Sequence, residues 1–218
     1  MNGDWRRECQ RMVEDQIVAR GLRDQRVLSA MRDVPRHLFV PAELRQHAYD
    51  DGALPIGEGQ TISQPYIVAA MTEAVRPQQG DRVLEVGTGS GYQAAVLGQL
   101  THRVLSTERV VGLALRARHA LQTFGLERVH LVVADGVEAL RPDLVFDAVI
   151  VTAGAPAVSA GLRARLADGG RLIIPVGPLD VQTLLLVERH GSQFTESSLG
   201  GCVFVPLIGR SGWSSPRE

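Results

Sequence analysis

The sequence predicts a doubly wound α/β domain that carries a helical N-terminal extension. From position 81 onward, short runs of valine, isoleucine and leucine alternate with helical segments, which is typical of parallel strands covered by helices on both faces. The length of 218 residues suits one domain with additions. A composition that is 44% hydrophobic and 22% charged is that of a globular protein rather than a disordered one.

The N-terminal extension is predicted to begin with two helices. Apolar residues recur there at helical spacing, at Cys9, Met12, Val13 and Ile17. A second short helix is predicted to begin after Asp24, whose side chain can cap it. It is predicted to end before Pro35, because proline cannot continue a helix.

Residues 51–65, DGALPIGEGQTISQP, are predicted to form a long loop, since three glycines and two prolines interrupt them. A long loop that contains residues of the buried type is usually functional. A helix is predicted to follow, with Val68, Met71 and Val75 facing inward and with Pro77 beyond its end.

The rest of the chain predicts a regular alternation of strands and helices. Strands are predicted at 82–87, 102–108, 128–135, 146–154, 171–177, 183–189 and 202–209. Helices are predicted at 91–100, at 110–124 and through Leu162 and Leu166 to Asp168-Gly169-Gly170. We therefore expect a single domain over 1–218, made of the extension and loop (1–78), a doubly wound core (79–210) and a flexible tail (211–218).

Composition excludes several classes of function. The net charge is −1 and the two signs are well mixed, so we expect neither nucleic acid nor a membrane as a partner. All 23 basic residues are arginines, and the absence of lysine excludes Schiff-base chemistry and the P-loop. Cys9 and Cys202 form no CxxC pair, and the six histidines show no ligand spacing, so no metal site is predicted.

The N-terminal residues are charged and contain no apolar stretch, which argues against a secretory signal. No apolar run approaches the 18 or so residues that a membrane-spanning helix needs. Together with the lack of a disulfide framework, these features lead us to expect a cytoplasmic location.

A glycine-rich turn follows the first strand of the predicted sheet. Gly87, Gly89 and Gly91 form a GxGxG pattern, whereas the dinucleotide fingerprint G-x-G-x-x-G would place its third glycine where Tyr92 stands. Glu85 before the turn would repel a diphosphate. A carboxylate there suits a ligand with a positive charge, such as an amino group or a sulfonium.

Acidic residues end the next two predicted strands. Glu108 lies about 20 residues beyond the glycine turn, where an acid commonly binds the hydroxyls of a ribose. Asp135-Gly136 ends the third strand. Because ligands of open α/β sheets bind beyond the carboxyl ends of the strands, the three features together predict an adenosine-type ligand.

Two stretches carry a resemblance to a known family. VLEVGTGSGY (83–92) resembles the first motif of Rossmann-like S-adenosylmethionine-dependent methyltransferases. LPIGEGQTISQPY (54–66) resembles the signature of the protein-L-isoaspartate(D-aspartate) O-methyltransferase family, and the similarity extends from about Val13 to Gly209. Further stretches follow in the family's order: VPRHLFVP, VVADG, FDAVIVTAGAP, GGRLIIPVG and FVPL. Ala134 and Gly154 depart from residues common in relatives, but neither departure removes a functional group.

The resemblance implies a Rossmann-like methyltransferase fold with a mostly parallel seven-stranded sheet. It implies methyl transfer from S-adenosyl-L-methionine to the free carboxylate of L-isoaspartyl and D-aspartyl residues in damaged proteins and peptides (EC 2.1.1.77). The products would be S-adenosyl-L-homocysteine and a methyl ester that starts repair through a succinimide. No metal is implied, and we expect a monomer.

The resemblance also implies roles for individual residues. Ser63 corresponds to the catalytic-site serine. Cofactor contacts are implied at Gln60, Thr61, Ile62, Glu85, Gly87, Thr88, Gly89, Ser90, Gly91, Glu108, Asp135 and Gly136. Substrate contacts are implied at Ile56, Thr61, Gln182 and Val205, the last in FVPL, which is the candidate edge strand for reading the acceptor's backbone.

Several alternatives stay open on sequence grounds. Ser63 could serve as the N-cap of the following helix, and Thr61 with Gln64 fits a capping box. The acceptor could be another carboxylate, in a small molecule or a dedicated peptide. A non-catalytic or nicotinamide-binding module is disfavoured by the GxGxG spacing and the TISQP stretch. Since a carboxylate is already ionised at neutral pH, its methylation needs no general base, and positioning can supply the catalysis.

Overall fold

The structure, a computed structural model, describes residues 5–214 and contains one seven-stranded sheet with helices on both faces. The strands are β1 (Leu54–Gly57), β2 (Gln60–Ile62), β3 (Arg82–Val86), β4 (Arg103–Glu108), β5 (His130–Val133), β6 (Phe146–Val151), β7 (Leu166–Val176), β8 (Gln182–His190) and β9 (Gln193–Cys202). The helices are α1 (Trp5–Arg11), α2 (Gln25–Asp33), α3 (Pro65–Val75), α4 (Tyr92–Leu100), α5 (Val111–Thr123) and α6 (Ala160–Ala164).

The sheet confirms the predicted fold class. Its order is β5-β4-β3-β6-β7-β8-β9. The neighbouring pairs from β5 to β7 are parallel, whereas β8 pairs antiparallel with both β7 and β9. The chain moves outward from β3 to β5 on one side and then returns to β6 on the other. The strand order therefore reverses at β3, which leaves a crevice at the carboxyl ends of β3, β4 and β6.

Burial on both faces explains why the parallel strands read as unbroken apolar runs. Val83 and Leu84 are neighbours in β3, so their side chains point to opposite faces of the sheet. Both are fully buried, Val83 in the cluster that includes the N-terminal helices and Leu84 in the cluster on the other face. The same holds for Val149 and Ile150 in β6.

The N-terminal extension follows its prediction. Cys9, Met12, Val13 and Ile17 are all buried, along α1 and the π-helical segment Met12–Ile17 that continues it. Asp24 caps α2 by accepting a hydrogen bond from the backbone N–H of Arg26 at 2.9 Å. The inward residues predicted for α3, namely Val68, Met71 and Val75, are buried as well.

The predicted loop at 51–65 is wrong in one respect, because it contains a β-hairpin. β1 and β2 pair antiparallel, and Gly57, Glu58 and Gly59 at the tip all have positive φ. The glycines that indicated a loop are therefore the residues that allow the tight turn between two short strands.

Two element boundaries near the C-terminus are also wrong. The helix predicted through Leu166 ends at Ala164, and β7 begins at Leu166 and continues through Asp168-Gly169-Gly170. A bulge opposite Phe146 and Ala148 interrupts the register of β7, which accounts for the two glycines inside a strand.

The seventh strand of the sheet is β9, at 193–202, rather than the apolar run at 202–209. Because β9 is an exposed edge strand, its sequence is polar and lacks the signal of a buried strand. The run at 202–209 instead makes an isolated parallel bridge from Pro206 to Gly154, whose N–H donates to the Val205 carbonyl and whose carbonyl accepts from the Leu207 N–H, both at 2.8 Å.

The beginning of the predicted flexible tail is held by side-chain contacts. The Ser211 hydroxyl donates to the Glu138 carboxylate at 3.1 Å, and the Trp213 indole donates to the Gly154 carbonyl at 3.1 Å. The flexibility predicted for 215–218 lies outside the described residues. Within 5–214, no helix is long and apolar enough to cross a membrane.

Candidate functional site

A cleft opens at the carboxyl ends of β3, β4 and β6, with the β1–β2 hairpin along one side. Twelve of the residues singled out from the sequence line it: Gln60, Thr61, Ile62, Ser63, Glu85, Gly87, Thr88, Gly89, Ser90, Glu108, Gly136 and Val205. The crevice predicted from the strand order therefore contains the glycine turn, the acid that ends β4 and the TISQP stretch together.

The glycine turn is fixed to the end of β4 by its own backbone. The N–H groups of Gly87 and Thr88 donate to the Thr107 carbonyl, at 2.9 and 3.2 Å. Gly87 has a φ of +96°, and a Cβ at this position would lie 2.5 Å from the Thr152 hydroxyl oxygen. Only glycine fits there, because both the dihedral and the space exclude a side chain.

Glu108 connects the glycine turn to the helix that follows β4. One carboxylate oxygen accepts a hydrogen bond from the Gly89 N–H and the other accepts one from the Val110 N–H, both at 2.9 Å. Its side chain is 6% exposed and lines the cleft. Each carboxylate oxygen keeps a further lone pair, so Glu108 can accept hydrogen bonds from ligand hydroxyls without losing these backbone contacts.

Glu85 lies at the floor of the cleft and is fully buried. The Ser106 hydroxyl donates to Oε2 of Glu85 and lies 2.5 Å from the Thr88 hydroxyl. Oε1 of Glu85 has no hydrogen-bond partner in the described part of the chain.

The protonation of Glu85 differs from what its sequence position suggests. Burial raises the pKa of Glu85 to about 8, and the nearby Glu108 carboxylate acts in the same direction, against the hydrogen bond from Ser106. The carboxyl is therefore mostly protonated at neutral pH. The raised pKa favours the neutral carboxyl, and a cationic ligand beside the turn would favour the ionised form that the sequence position predicts.

Ser63 does not cap α3. The N-cap residue is Gln64, its side chain makes no capping hydrogen bond, and Pro65 occupies the first turn. Thr61 lies within β2, so the capping box predicted for Thr61 and Gln64 is wrong as well. Because proline has no N–H, one of the four unpaired donors at the start of the helix is absent. Ser63 is half-buried with its side chain free of a capping role, and it lines the cleft.

Sequence reasoning missed Arg36, which stands behind Ser63. The guanidinium of Arg36 donates to the Ser63 carbonyl at 2.7 Å and lies over the ring of Tyr92 at 4.7 Å from the ring centroid. The signal was present in VPRHLFVP, where Arg36 and His37 stand among apolar residues, but a pattern cannot tell a buried arginine from an exposed one.

Four residues named from the sequence lie outside the cleft walls. Gly91 is the N-cap of α4 with a φ of +88°, and a Cβ there would lie 3.2 Å from the Cβ of Ala117 in α5. Ile56 is buried, with its Cδ1 3.6 Å from where a Cβ on Gly89 would lie. Asp135 is exposed and faces Gly209.

Gln182 is the fourth, and both ends of its amide are used within the protein. Its Oε1 accepts from the Phe204 N–H at 2.8 Å and its Nε2 donates to the Pro178 carbonyl at 2.6 Å. Gln182 therefore holds the segment that carries Val205. As for metal ions, residues 5–214 contain no group of three or more His, Cys, Asp or Glu side chains placed to bind one.

Comparison with known proteins gives consistent matches along the chain. The model of the family Protein-L-isoaspartate(D-aspartate) O-methyltransferase (PCMT) matches residues 7–212. The chain is 54% identical over 209 residues to the Protein-L-isoaspartate O-methyltransferase of Methanoculleus marisnigri, covering 95% of this chain and 94% of that protein. It is 51% identical over 203 residues to Protein-L-isoaspartate O-methyltransferase 1 of Syntrophobacter fumaroxidans, covering 93% of this chain and 95% of that protein.

A solved structure shows the same fold. It is a Plasmodium falciparum protein described as a protein-L-isoaspartate O-methyltransferase in complex with S-adenosyl-L-homocysteine. The TM-score is 0.80 at 23% sequence identity, and the match covers 92% of this chain and 98% of that one.

Replacing Glu85 with glutamine, which resembles the protonated carboxyl in shape, should remove a pH dependence of stability. Because the pKa of Glu85 rises from 4.5 to about 8 on folding, its stabilising contribution is complete below pH 4.5 and is lost as the pH rises to about 8. Urea denaturation across this range should show the free energy of unfolding of the wild type falling relative to Glu85→Gln by up to about 1.4 kcal/mol per pH unit.

The matched control is Glu43→Gln, at an exposed position outside the cleft, which should show no such divergence. Parallel pH profiles for wild type and Glu85→Gln would contradict a raised pKa of Glu85.

Proposed function

Because the chain belongs to the protein-L-isoaspartate(D-aspartate) O-methyltransferase family, we propose that its cleft binds S-adenosyl-L-methionine and transfers the methyl group to the free carboxylate of L-isoaspartyl residues. Family membership confirms the prediction made from VLEVGTGSGY and LPIGEGQTISQPY. The observation that carries the proposal is the meeting of the glycine turn, Glu108 and Ser63 around one cleft. The substrates are proteins and peptides that contain isoaspartyl residues, and the family's name extends the proposal to D-aspartyl residues.

The cofactor is proposed to lie across the glycine turn. The close approach that Gly87 and Gly89 allow, together with the Glu108 carboxylate at the end of β4, suits a ribose beside the turn. Thr88, Ser90 and Glu85 would then face the amino acid portion of the cofactor. Support comes from the structure of the Plasmodium falciparum relative, which has the same fold and contains S-adenosyl-L-homocysteine.

The acceptor is proposed to enter between the hairpin and the segment that carries Val205. Thr61 and Ser63 line one side of this entrance and Val205 lines the other. In the reaction an oxygen of the acceptor carboxylate attacks the methyl carbon and the bond from that carbon to sulfur breaks. The electron pair stays on sulfur, so the products are a methyl ester and neutral S-adenosyl-L-homocysteine, and no proton moves.

The residues around the cleft fit this low demand for acid–base chemistry. A carboxylate with a pKa near 4 is ionised at neutral pH, so the protein has to exclude water and align oxygen, carbon and sulfur. The side chains of Ser63 and Thr61 can donate hydrogen bonds to an acceptor carboxylate. The monomeric state and the cytoplasmic location stay predictions from the sequence.

The activity is tested with two peptides that differ only in having isoaspartate or aspartate at one position. With methyl-labelled S-adenosylmethionine, we expect label on the isoaspartyl peptide and little on the aspartyl peptide. The ester carbonyl lies within reach of a backbone amide nitrogen, so ring closure to a succinimide should release labelled methanol without the enzyme, faster as the pH rises. Label that survives mild base on the peptide would contradict a carboxylate acceptor.

Glu108→Ala should weaken the binding of S-adenosyl-L-homocysteine by about 1–3 kcal/mol, because a charged hydrogen-bond acceptor is lost from the ribose site. The same change also frees the Gly89 N–H and loosens the turn. Calorimetric titration measures the affinity, and Glu43→Ala at an exposed position serves as the control. Unchanged affinity in Glu108→Ala would remove Glu108 from the cofactor site.

Ser63→Ala should lower turnover of the isoaspartyl peptide without lowering the melting temperature, since Ser63 makes no capping bond. Ser159→Ala is the matched control, because Ser159 caps α6 by accepting from the Leu162 N–H at 3.2 Å. That variant should lose about 1 kcal/mol of stability and keep its turnover. Normal turnover in Ser63→Ala would exclude a catalytic role for the hydroxyl.

A further inference from the structure

Arg36 carries a buried positive charge that no acidic side chain of the described residues neutralises. Its side chain is 0% exposed, and no ion pair within residues 5–214 includes it. Nε donates to the Ala48 carbonyl at 2.8 Å, Nη2 donates to the Ser63 carbonyl at 2.7 Å, and Nη1 is buried without a hydrogen-bond partner. Burial lowers the pKa of Arg36 to about 10, so the guanidinium still holds its proton at neutral pH.

A buried charge without a counter-charge destabilises the folded protein. Packing alone does not require it, because a neutral side chain of similar length would fill the space without bringing a charge into the interior. Buried charges that lower the stability of a protein in this way are concentrated at its functional sites. The neighbours of Arg36 indicate which site this is.

Arg36 contacts two walls of the cleft from behind. Ser63 and Tyr92 both line the cleft, and Arg36 binds the carbonyl of the first and stacks on the ring of the second. In a trans peptide the C=O and N–H groups point in opposite directions. Since the Ser63 carbonyl points at Arg36, the N–H of Gln64 points away from it, and Arg36 therefore fixes the orientation of the peptide group beside the catalytic serine.

The cofactor end of the cleft is lined by two carboxyl groups, Glu85 and Glu108, and by Arg109, at the carboxyl ends of β3 and β4 where the cofactor is proposed to bind. Arg36 stands behind the hairpin and the start of α3, where the acceptor is proposed to enter. The interior has a low effective dielectric constant, so a charge buried there acts on its neighbours more strongly than one in water.

We propose that Arg36 is a positioning and specificity-determining residue that makes the acceptor end of the cleft prefer a carboxylate to a neutral group. It acts through the Ser63 peptide group and through its own field, without lining the cleft itself. This inference rests on the proposed methyl transfer to an isoaspartyl carboxylate, and it adds the source of the selectivity for charge.

The test compares two peptides at saturating S-adenosyl-L-homocysteine: the isoaspartyl peptide and the same peptide with its free carboxylate replaced by a carboxamide. For the wild type we expect the carboxylate to bind at least about tenfold more tightly, the scale of a hydrogen bond to a charged group. In Arg36→Gln, which keeps a donor for one carbonyl but no charge, the ratio should fall below about threefold. The affinity for S-adenosyl-L-homocysteine itself should change little.

Two further variants separate charge from structure. Arg36→Lys keeps the charge, although a lysine cannot bridge both carbonyls. Because the charge is kept, this variant should retain most of the carboxylate preference when it is measured at about pH 6.5, where a buried lysine keeps its proton more readily. Arg165→Gln is the control for a buried arginine that donates only to backbone carbonyls, those of Val137, Leu140, Arg141 and Leu144. It should lower the melting temperature and leave the ratio unchanged.

A full carboxylate preference in Arg36→Gln, or its complete loss in Arg36→Lys, would overturn the inference. An equal loss of affinity for the cofactor product and for both peptides would also overturn it, because that result assigns Arg36 a structural role or a role toward the cofactor. If Arg36→Gln fails to fold, the ratio in Arg36→Lys decides alone. Failure of the wild type to methylate the isoaspartyl peptide, measured first, would instead overturn the proposed function.

Discussion

The carboxylate of Glu108 holds together the parts of the molecule on which the cleft depends. It accepts hydrogen bonds from Gly89 in the turn after β3 and from Val110 at the start of α5. A glycine turn is permissive by nature, and without a fixed partner it would lose the shape that a ligand requires. Because β3 and β4 are adjacent and parallel, their carboxyl ends bring the turn and the acid together without any long-range loop.

The hairpin gives the cleft its second side. Arg116 of α5 donates to the Ile56 carbonyl at 3.1 Å, so the hairpin is tied to the helix whose N-cap residue, Val110, donates to Glu108. From behind, Arg36 binds the carbonyl of Ser63, immediately after β2. The proposed acceptor side is thus built from backbone held by arginines, which suits a reaction that needs alignment and exclusion of water more than proton transfer.

The parts of the fold that could be predicted are those in which burial leaves a pattern in the sequence. β3 and β6 read as apolar runs because both of their faces are covered, whereas β9 lies at an exposed edge and reads as polar. The bulge in β7 and the tip of the β1–β2 hairpin were mistaken for breaks in structure, because glycine marks bulges and tight turns as well as loops.

For the site, most residues implied by the resemblance line the cleft, but a motif does not distinguish residues that line it from residues that support its walls. Gln182 and Gly91 have contacts that hold the surroundings of the cleft, and this difference depends on side-chain direction, which is not visible in a motif. Arg36 escaped prediction for the opposite reason. The apolar neighbours of Arg36 in VPRHLFVP are a signal, but arginine is rarely fully buried, so the pattern alone favours an exposed side chain.

The most direct test is a crystal structure of the protein with S-adenosyl-L-homocysteine and an isoaspartyl peptide. It should place the ribose hydroxyls within about 3.2 Å of the Glu108 carboxylate and the free carboxylate of the peptide beside Ser63, facing the sulfur atom. A ribose bound away from Glu108, or a peptide whose carboxylate points to solvent while another group faces the sulfur, would contradict the account.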